Sequence, residues 1–148
     1  MLNYVLGFAF SPDYSSVVLV KKERPDWMKG FWNGVGGQVE QGDKIYVNAM
    51  ARLFQEETSV LTFPNRWKTL CTKVWWDKSN SEDFPVACEV FHISLNFSEM
   101  RKIRTGARWV PLEHLHTLPL VRETKELICG QELRSAALPN RGPSAFTI

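Results

Sequence analysis

The sequence predicts an α/β domain in which a β-sheet lies between helices. The run Val17–Val20 is continuously apolar, which is typical of a strand covered on both faces. From Asp43 onward the chain is rich in helix formers and has no Gly or Pro until after Val60, which predicts a helix. At 148 residues the chain fits a single domain over 1–148, and the patternless stretch 138–148 is predicted to be a loosely ordered tail.

Strand and turn signals alternate along the rest of the chain. The turn-forming cluster Ser11–Ser15 predicts a hairpin, and polar loops are predicted over 77–83 and 96–106. A second helix is predicted over Val121–Cys129. The predicted strands are Leu2–Phe10, Ser16–Lys22, Trp67–Trp76, Val86–Leu95 and Arg108–Leu112. In the first helix Asp43 is the predicted N-cap, and Ile45, Ala49 and Leu53 form the predicted buried stripe.

Composition and charge exclude several classes of protein. Hydrophobic residues make up 44% and charged residues 23%, which argues against disorder. A net charge of +2 is too small to predict nucleic acid or an anionic membrane as the main partner. The apolar run Leu2–Phe10 is too short to cross a bilayer and lacks the basic flank of a signal peptide. Cys71, Cys88 and Cys129 have no metal-ligand spacing, so no zinc site or disulfide framework is predicted, and a cytoplasmic setting is expected.

The most informative stretch runs from Gly30 to Val60. It contains a glycine-rich loop and then a helix that carries Arg52, Glu56 and Glu57. A glycine loop before a helix can bind phosphate, whereas a glutamate pair with a backbone carbonyl can bind Mg²⁺. The chain has no GxxxxGK[ST] string, and the adjacent glutamates favour the magnesium site. A glutamate pair on a helix is also an ordinary solvated face, and that alternative stays open.

The order and spacing of these residues resemble the Nudix box, which reads GG, five residues, E, seven residues, and REUxEExGU, with U an aliphatic residue. The resemblance implies a Nudix-type α/β/α sandwich with a mixed sheet. It also implies hydrolysis of a nucleoside diphosphate-linked substrate with Mg²⁺, for which Mn²⁺ is an alternative ion. By position, Glu56 and Glu57 are the implied metal ligands, the carbonyl of Gly37 joins them, and Arg52 orients the glutamates. Gly36-Gly37, Asp43, Arg52 and Glu56-Glu57 carry the resemblance.

The chain departs from the Nudix box at several positions. It has one residue more between Asp43 and Arg52, Asp43 replaces a Glu, and Ser59 replaces a Gly. Leu53 stands where the motif has the Glu after the Arg, and a leucine can neither hold a cation nor take a proton. We therefore predict Glu99 as the substitute catalytic base, by resemblance to a late-loop glutamate of the family. The alternatives are that Glu99 lies on a solvated loop, and that the chain binds nucleotides without efficient catalysis.

The segment Trp32-Asn33-Gly34 is similar to the WNG segment of Nudix enzymes that hydrolyse oxidised purine nucleoside triphosphates. That similarity implies that Asn33 contacts the base and that Lys21, Gly36, Gly37 and Trp109 also bind substrate. The alternatives are that Lys21 belongs to a solvated strand end and that Trp109 is a core residue at a strand end. The aspartate pair that follows the late Trp in some of those enzymes is absent, so the base stays open. The predicted reaction releases a nucleoside monophosphate and pyrophosphate from a nucleoside triphosphate. A nucleotide sugar, a dinucleotide and a capped RNA end are alternative substrates, and a homodimer is compatible with the sequence. Glu89, on a predicted strand face, is a secondary candidate.

Overall fold

One mixed β-sheet forms the centre of the fold. The computed structural model describes residues 2–24, 26–77, 84–104 and 106–129, and within them seven strands form this sheet. The strand order is β3-β2-β1-β6-β5, with β4 paired to β1 and β7 paired to β2. The strands are β1 (Leu2–Phe10), β2 (Ser16–Lys21), β3 (Trp32–Asn33), β4 (Val35–Gln38), β5 (Lys68–Asp77), β6 (Phe84–Ser94) and β7 (Ala107–Pro111).

The central strand β1 makes the sheet mixed. It runs antiparallel to β2 and β4 and parallel to β6, with Leu2 opposite Val86 and Phe10 opposite Ser94. Successive β1 side chains alternate between the two faces, and both faces are buried, so this strand is apolar nearly throughout. Val5 belongs to the hydrophobic cluster on one face and Leu6 to the cluster on the other.

Helices cover both faces of the sheet, as the sequence predicts. The helix α1 (Tyr46–Thr58) packs Ala49, Met50 and Phe54 into the cluster that contains Val5. The short helix α2 is Phe97–Met100, and α3 (Arg122–Cys129) adds Leu127 to the opposite cluster. None of the helices among the described residues combines the length and the apolar character that a bilayer crossing requires.

The start of α1 differs from the prediction. Asp43 is not its N-cap: Asp43 ends a 3₁₀ turn, Gln41–Asp43, and Ile45 occupies the N-cap position. The Asp43 carboxylate instead accepts hydrogen bonds from the Glu40 N–H (2.8 Å) and from Arg52. Ile45 is 57% exposed and does not belong to the buried stripe, which Ala49 and Leu53 do form.

The predicted glycine loop is also different, because much of it is strand. Gly36 and Gly37 lie in β4, opposite Leu6 and Val5 of β1. A Cβ on Gly36 would stand 2.3 Å from the Val5 carbonyl oxygen, and one on Gly34 would stand 2.6 Å from that of Gly7. These two glycines therefore permit close approach of the backbones of β4 and β1.

The region 96–106 contains α2, which the polar composition does not predict. The Asn96 side chain accepts the Glu99 N–H (2.8 Å), and the Glu99 carboxylate accepts the Asn96 N–H (2.9 Å). This reciprocal capping box satisfies two donors that a short helix otherwise leaves unpaired. Residues 78–83 of the predicted polar loop 77–83 lie outside the described residues. The predicted tail 138–148 also lies outside them.

Gly36→Ala should lower the free energy of unfolding by about 2 kcal/mol, because the added methyl group forces β4 away from β1. The matched control is Gly42→Ala, since a Cβ at Gly42 meets no atom within 4 Å. Urea denaturation of both variants measures the difference. Equal stability of the two variants would show that the close approach of β4 to β1 does not restrict the side chain at position 36.

Candidate functional site

Arg52 joins three separate parts of the Nudix-like stretch. Its Nε and Nη2 atoms donate to the two carboxylate oxygens of Asp43 at 2.8 and 2.9 Å. Nη2 also donates to the Gln38 carbonyl at 3.2 Å, and Nη1 donates to Glu56 Oε1 at 3.3 Å. One guanidinium therefore connects the end of β4, the 3₁₀ turn and the last turns of α1. The bidentate pair with Asp43 fixes its plane.

Both members of this ion pair stay charged over a wide pH range. The hydrogen bonds from Arg52 and from the Glu40 N–H hold the pKa of Asp43 below its usual value, although burial opposes this. The Asp43 carboxylate in turn raises the pKa of Arg52. The Asp43 side chain is only 6% exposed, so solvent screens the pair less than it screens surface ion pairs.

Glu56 and Glu57 lie next to each other near the end of α1. The Glu56 side chain is 60% exposed and keeps one oxygen on Arg52, while Glu57 is half-buried. Carboxylate oxygens with a backbone carbonyl are donors of the type that Mg²⁺ takes, and that ion keeps sites for water and phosphate oxygens. The donor set therefore fits an ion bound through two carboxylates and completed by substrate.

Leu53 fills the place beside Gly37 with apolar atoms. Its side chain is in the core, the residue is 8% exposed, and its Cδ2 lies 3.0 Å from the position of a Cβ on Gly37. Within the described ranges, no group of three or more His, Cys, Asp or Glu residues is arranged to hold a metal ion. The protein thus offers two motif carboxylates and not three.

A cavity of about 410 Å³ lies beside β4, on the face opposite α1. Its floor contains Leu6 and Cys88, which belong to the cluster on the α3 side of the sheet. Burial raises the pKa of the Cys88 thiol to about 12, so this part of the wall is neutral. The volume suits a small organic ligand. The other lining residues are Tyr4, Val5, Lys22, Arg24, Trp27, Met28, Asn33, Gly34, Gly36, Gly37 and Val86.

Three of the predicted substrate-binding residues line this cavity: Asn33, Gly36 and Gly37. Asn33 is 8% exposed, and its Oδ1 accepts the Gly34 N–H at 2.8 Å and the hydroxyl of Thr124 in α3. Gly37 lines the cavity and also contacts Leu53 across β4. Gly37 therefore connects the cavity to the helix that carries the glutamates.

Lys21 and Trp109, the other two predicted substrate-binding residues, are not among the cavity-lining residues. Lys21 is exposed, and the next residue, Lys22, lines the cavity instead. Trp109 packs against the α1-side cluster, and its Nε1 donates to the Met100 carbonyl at 3.3 Å. The reason is the alternation of strand side chains, which places Trp109 on the opposite face of the sheet.

Trp27 and Arg24 line the cavity, and the sequence did not single out Trp27. Trp27 lies in a three-residue 3₁₀ turn, Asp26–Met28, and is 38% exposed. So short a turn has no periodicity by which a sequence pattern could identify it. Arg24 does have a signal in the sequence, because it stands with Lys21 and Lys22 in a basic cluster just before the glycine-rich stretch.

Glu99 lies in an ion pair and not on a solvated loop. Arg66 donates to both of its carboxylate oxygens, at 2.5 and 3.0 Å, and the Asn96 N–H donates at 2.9 Å. Burial alone would raise the pKa of Glu99, but these hydrogen bonds and the charge of Arg66 hold the pKa below its usual value. The predicted role of Glu99 as a base stays a prediction. The secondary candidate Glu89 accepts the Thr72 hydroxyl at 2.6 Å.

No model of a known protein family matches the chain, and no curated protein sequence matches it. Solved structures do match. The NUDIX domain of Shewanella oneidensis NrtR, solved with ADP ribose, is 19% identical over 92% of this chain and 88% of that chain, with a TM-score of 0.71. A structure from work on MutT of Aliivibrio salmonicida and Vibrio cholerae is 20% identical over 90% of this chain and 98% of that chain, with a TM-score of 0.65. The Ap4A hydrolase of C. elegans is 12% identical over 92% of this chain and 98% of that chain, with a TM-score of 0.61.

These similarities confirm the fold that the Nudix box implies: the chain has the Nudix fold, with a mixed sheet between helices. The WNG similarity to oxidised-purine hydrolases stays a prediction. In another structure of Shewanella oneidensis NrtR, this chain covers 62% of that chain, and NrtR has also been solved with a 27mer DNA. The exclusion of nucleic acid as a main partner therefore also stays a prediction.

Glu99→Gln should lower the free energy of unfolding at pH 7 by roughly 2 kcal/mol, because Arg66 keeps its partly buried charge and loses its partner. The folded-state pKa of Glu99 lies below the unfolded value of about 4.3, so the ion pair stabilises the fold above that pH. Its contribution is lost as the pH falls through the folded-state pKa. Urea denaturation at pH 7 and pH 3 should therefore show a smaller difference at pH 3.

The control for this prediction is Glu126→Gln, which removes an exposed ion pair with Arg122. We expect that change to cost less than about 0.5 kcal/mol. A Glu99→Gln variant as stable as this control would contradict a structural role for the Arg66 ion pair.

Proposed function

We propose that this Nudix-fold chain hydrolyses a nucleoside diphosphate-linked substrate, first of all a nucleoside triphosphate, to a monophosphate and pyrophosphate. One observation carries the proposal: Gly37 lies beside Leu53 of the glutamate-bearing helix, whose Cδ2 is 3.0 Å from the position of a Cβ on Gly37, and Gly37 also lines a cavity with two basic side chains, Lys22 and Arg24. A ligand with an organic part for the cavity and a phosphate chain for the basic side chains suits this arrangement. The likeness to solved Nudix structures supports the fold behind it.

Each residue of the proposed site has a defined task. Glu56, Glu57 and the Gly37 carbonyl would hold Mg²⁺ or, alternatively, Mn²⁺. When bound, such an ion neutralises phosphate charge and lowers the pKa of water. Arg52 keeps Glu56 in place through a hydrogen bond, and Asp43 holds Arg52.

The cavity would bind the nucleoside part and the nearest phosphates. Lys22 and Arg24 supply positive charge at its lining, which favours phosphate oxygens. Trp27 offers an aromatic face on which a base can stack, and Asn33 offers an amide for its polar edge. Lys21 and Trp109 are outside this proposed arrangement because the cavity lining does not include them.

We propose Glu99 as the general base, and its hydrogen bonds impose one condition on that role. Its carboxylate is ionised at neutral pH, as a base must be, but Arg66 and Asn96 occupy both oxygens. To take a proton from water, Glu99 has to exchange one of these hydrogen bonds. Turnover by Glu99→Gln distinguishes the roles: a base role lowers kcat far more than nucleotide affinity, and a purely structural role lowers only stability.

A second candidate function is nucleotide binding with weak or no catalysis. The burial of Leu53 against Gly37 favours it, because the helix then lacks the third carboxylate of the motif. Other phosphoanhydride substrates, such as a nucleotide sugar, a dinucleotide or a capped RNA end, would use the same site. The free thiol of Cys88 supports the proposed cytoplasmic setting.

The double variant Glu56→Gln, Glu57→Gln should lower turnover on the order of 100-fold, because neutral amides bind a divalent cation poorly. The assay measures pyrophosphate release from a nucleotide panel with Mg²⁺, with Mn²⁺ and with EDTA. Glu113→Gln is the control, since its side chain is 80% exposed and only pairs with His114. Nucleotide binding without metal-dependent turnover on any substrate would reject the enzyme and favour the second candidate.

Leu53→Glu should raise metal-dependent turnover if the missing motif acid limits the rate, because it restores a carboxylate beside Gly37. Leu53→Gln has nearly the same shape without the charge and should give no increase. Both variants should lose stability without metal, by about 1–3 kcal/mol, since they bury a polar group. Equal turnover of the two would show that the missing carboxylate does not limit the rate.

A further inference from the structure

We propose that the cavity prefers a base that turns a keto oxygen, and not an amino group, toward Asn33, and that Thr124 is the positioning residue that sets this preference through Asn33. This inference rests on the proposed function, because it assumes that a base occupies the cavity. It adds a specificity rule that follows from the orientation of one amide.

The Asn33 amide is held in one orientation. Its Oδ1 accepts two hydrogen bonds, from the Gly34 N–H at 2.8 Å and from the Thr124 hydroxyl. A carbonyl oxygen has two lone pairs, so this oxygen has no further capacity for a ligand. Turning the amide over would place its NH₂ group against the Gly34 N–H, which sets a donor against a donor.

The NH₂ group of Asn33 is what the amide offers to a ligand. Asn33 is only 8% exposed and lines the cavity, yet among the described residues no acceptor pairs with its Nδ2. Among the described residues, every fully buried side-chain nitrogen or oxygen has a hydrogen-bond partner. Because Nδ2 has no partner among them, it is not fully buried and is accessible from open space. The cavity is the open space that Asn33 lines.

Three further side chains of the cavity lining are hydrogen-bond donors, whereas most of the other lining residues are apolar. Lys22 and Arg24 carry only hydrogen-bond donors, and the Trp27 indole N–H is also a donor. Within the part of the chain that the structure describes, no Asp or Glu lines the cavity. A base edge with a keto oxygen therefore matches the Asn33 amide, whereas an exocyclic amino group at the same position places a donor against it.

Thr124 connects this preference to the C-terminal helix. It is fully buried in α3, and its hydroxyl supplies one of the two hydrogen bonds that hold the amide. Without that hydroxyl, one of the two restraints is lost and the amide rotates more freely. Thr124 lies outside the cavity lining, so it acts through Asn33 and not by contact with the ligand.

The test compares nucleotides that differ at one edge: inosine with adenosine triphosphate, and uridine with cytidine triphosphate. Calorimetry on the full chain in EDTA gives dissociation constants without hydrolysis. In the purine pair or in the pyrimidine pair, the keto nucleotide should bind about tenfold more tightly than the amino nucleotide. This difference is the one expected when two hydrogen-bond donors no longer face each other. Equal affinities within both pairs would overturn the proposal.

Variants separate the positioning role from packing. Asn33→Asp keeps an oxygen for Gly34 and Thr124 but replaces the donor by an acceptor, so the keto-to-amino ratio should invert. Thr124→Val keeps the shape without the hydroxyl and should bring the ratio toward one, while Thr124→Ser should restore it. A packing role predicts the opposite order, with Ser more harmful than Val. Folding of each variant is checked by circular dichroism, and Thr124→Val carries the test if Asn33→Asp unfolds.

Failure of this proposal is distinguishable from failure of the proposed function. If both members of a pair bind equally and Mg²⁺ then gives pyrophosphate release, the hydrolase stands and the specificity rule is wrong. If no nucleotide binds either in EDTA or with Mg²⁺, and none is hydrolysed, both are wrong. A ratio that Asn33→Asp leaves unchanged, in a folded variant, also rejects the rule.

Discussion

The ion pair between Arg52 and Asp43 determines how the proposed site is assembled. It is nearly buried on the Asp43 side, bidentate, and extended by hydrogen bonds to the Gln38 carbonyl and to Glu56. Without it, the end of β4, the 3₁₀ turn and α1 would be linked mainly by apolar packing, which does not fix the direction of a carboxylate. The pair also explains why α1 begins three residues after Asp43: the carboxylate that could have capped the helix binds Arg52.

Close approach of two backbones is the second constraint. Because β4 pairs tightly with β1, a side chain at Gly36 would overlap the Val5 carbonyl. The same approach brings Gly37 between α1 on one side and the cavity on the other. The proposed metal site on the helix and the proposed binding of substrate in the cavity therefore share one short strand, and a shift of that strand would disturb both.

Glu99 and Leu53 illustrate how local sequence can mislead about environment. Glu99 stands among basic residues in sequence, yet its partner is Arg66, 33 positions earlier. Leu53 interrupts the acidic motif, and its contacts show why: it packs in the core against Gly37. The helix thus gains apolar contact where the motif would place an acid. The loss of that acid is the observation that favours nucleotide binding without catalysis.

The sequence by itself determined the fold class, the main strands, both longer helices and the motif residues Arg52, Glu56 and Glu57. Those features depend on local periodicity and on spacing within a single helix. Only the tertiary structure decided which side chains meet across the sheet. It excluded Lys21 and Trp109 from the cavity lining, added Lys22 and Trp27, and joined Thr124 to Asn33 over a separation of 91 residues. Such contacts depend on strand register and helix docking, which no local pattern encodes.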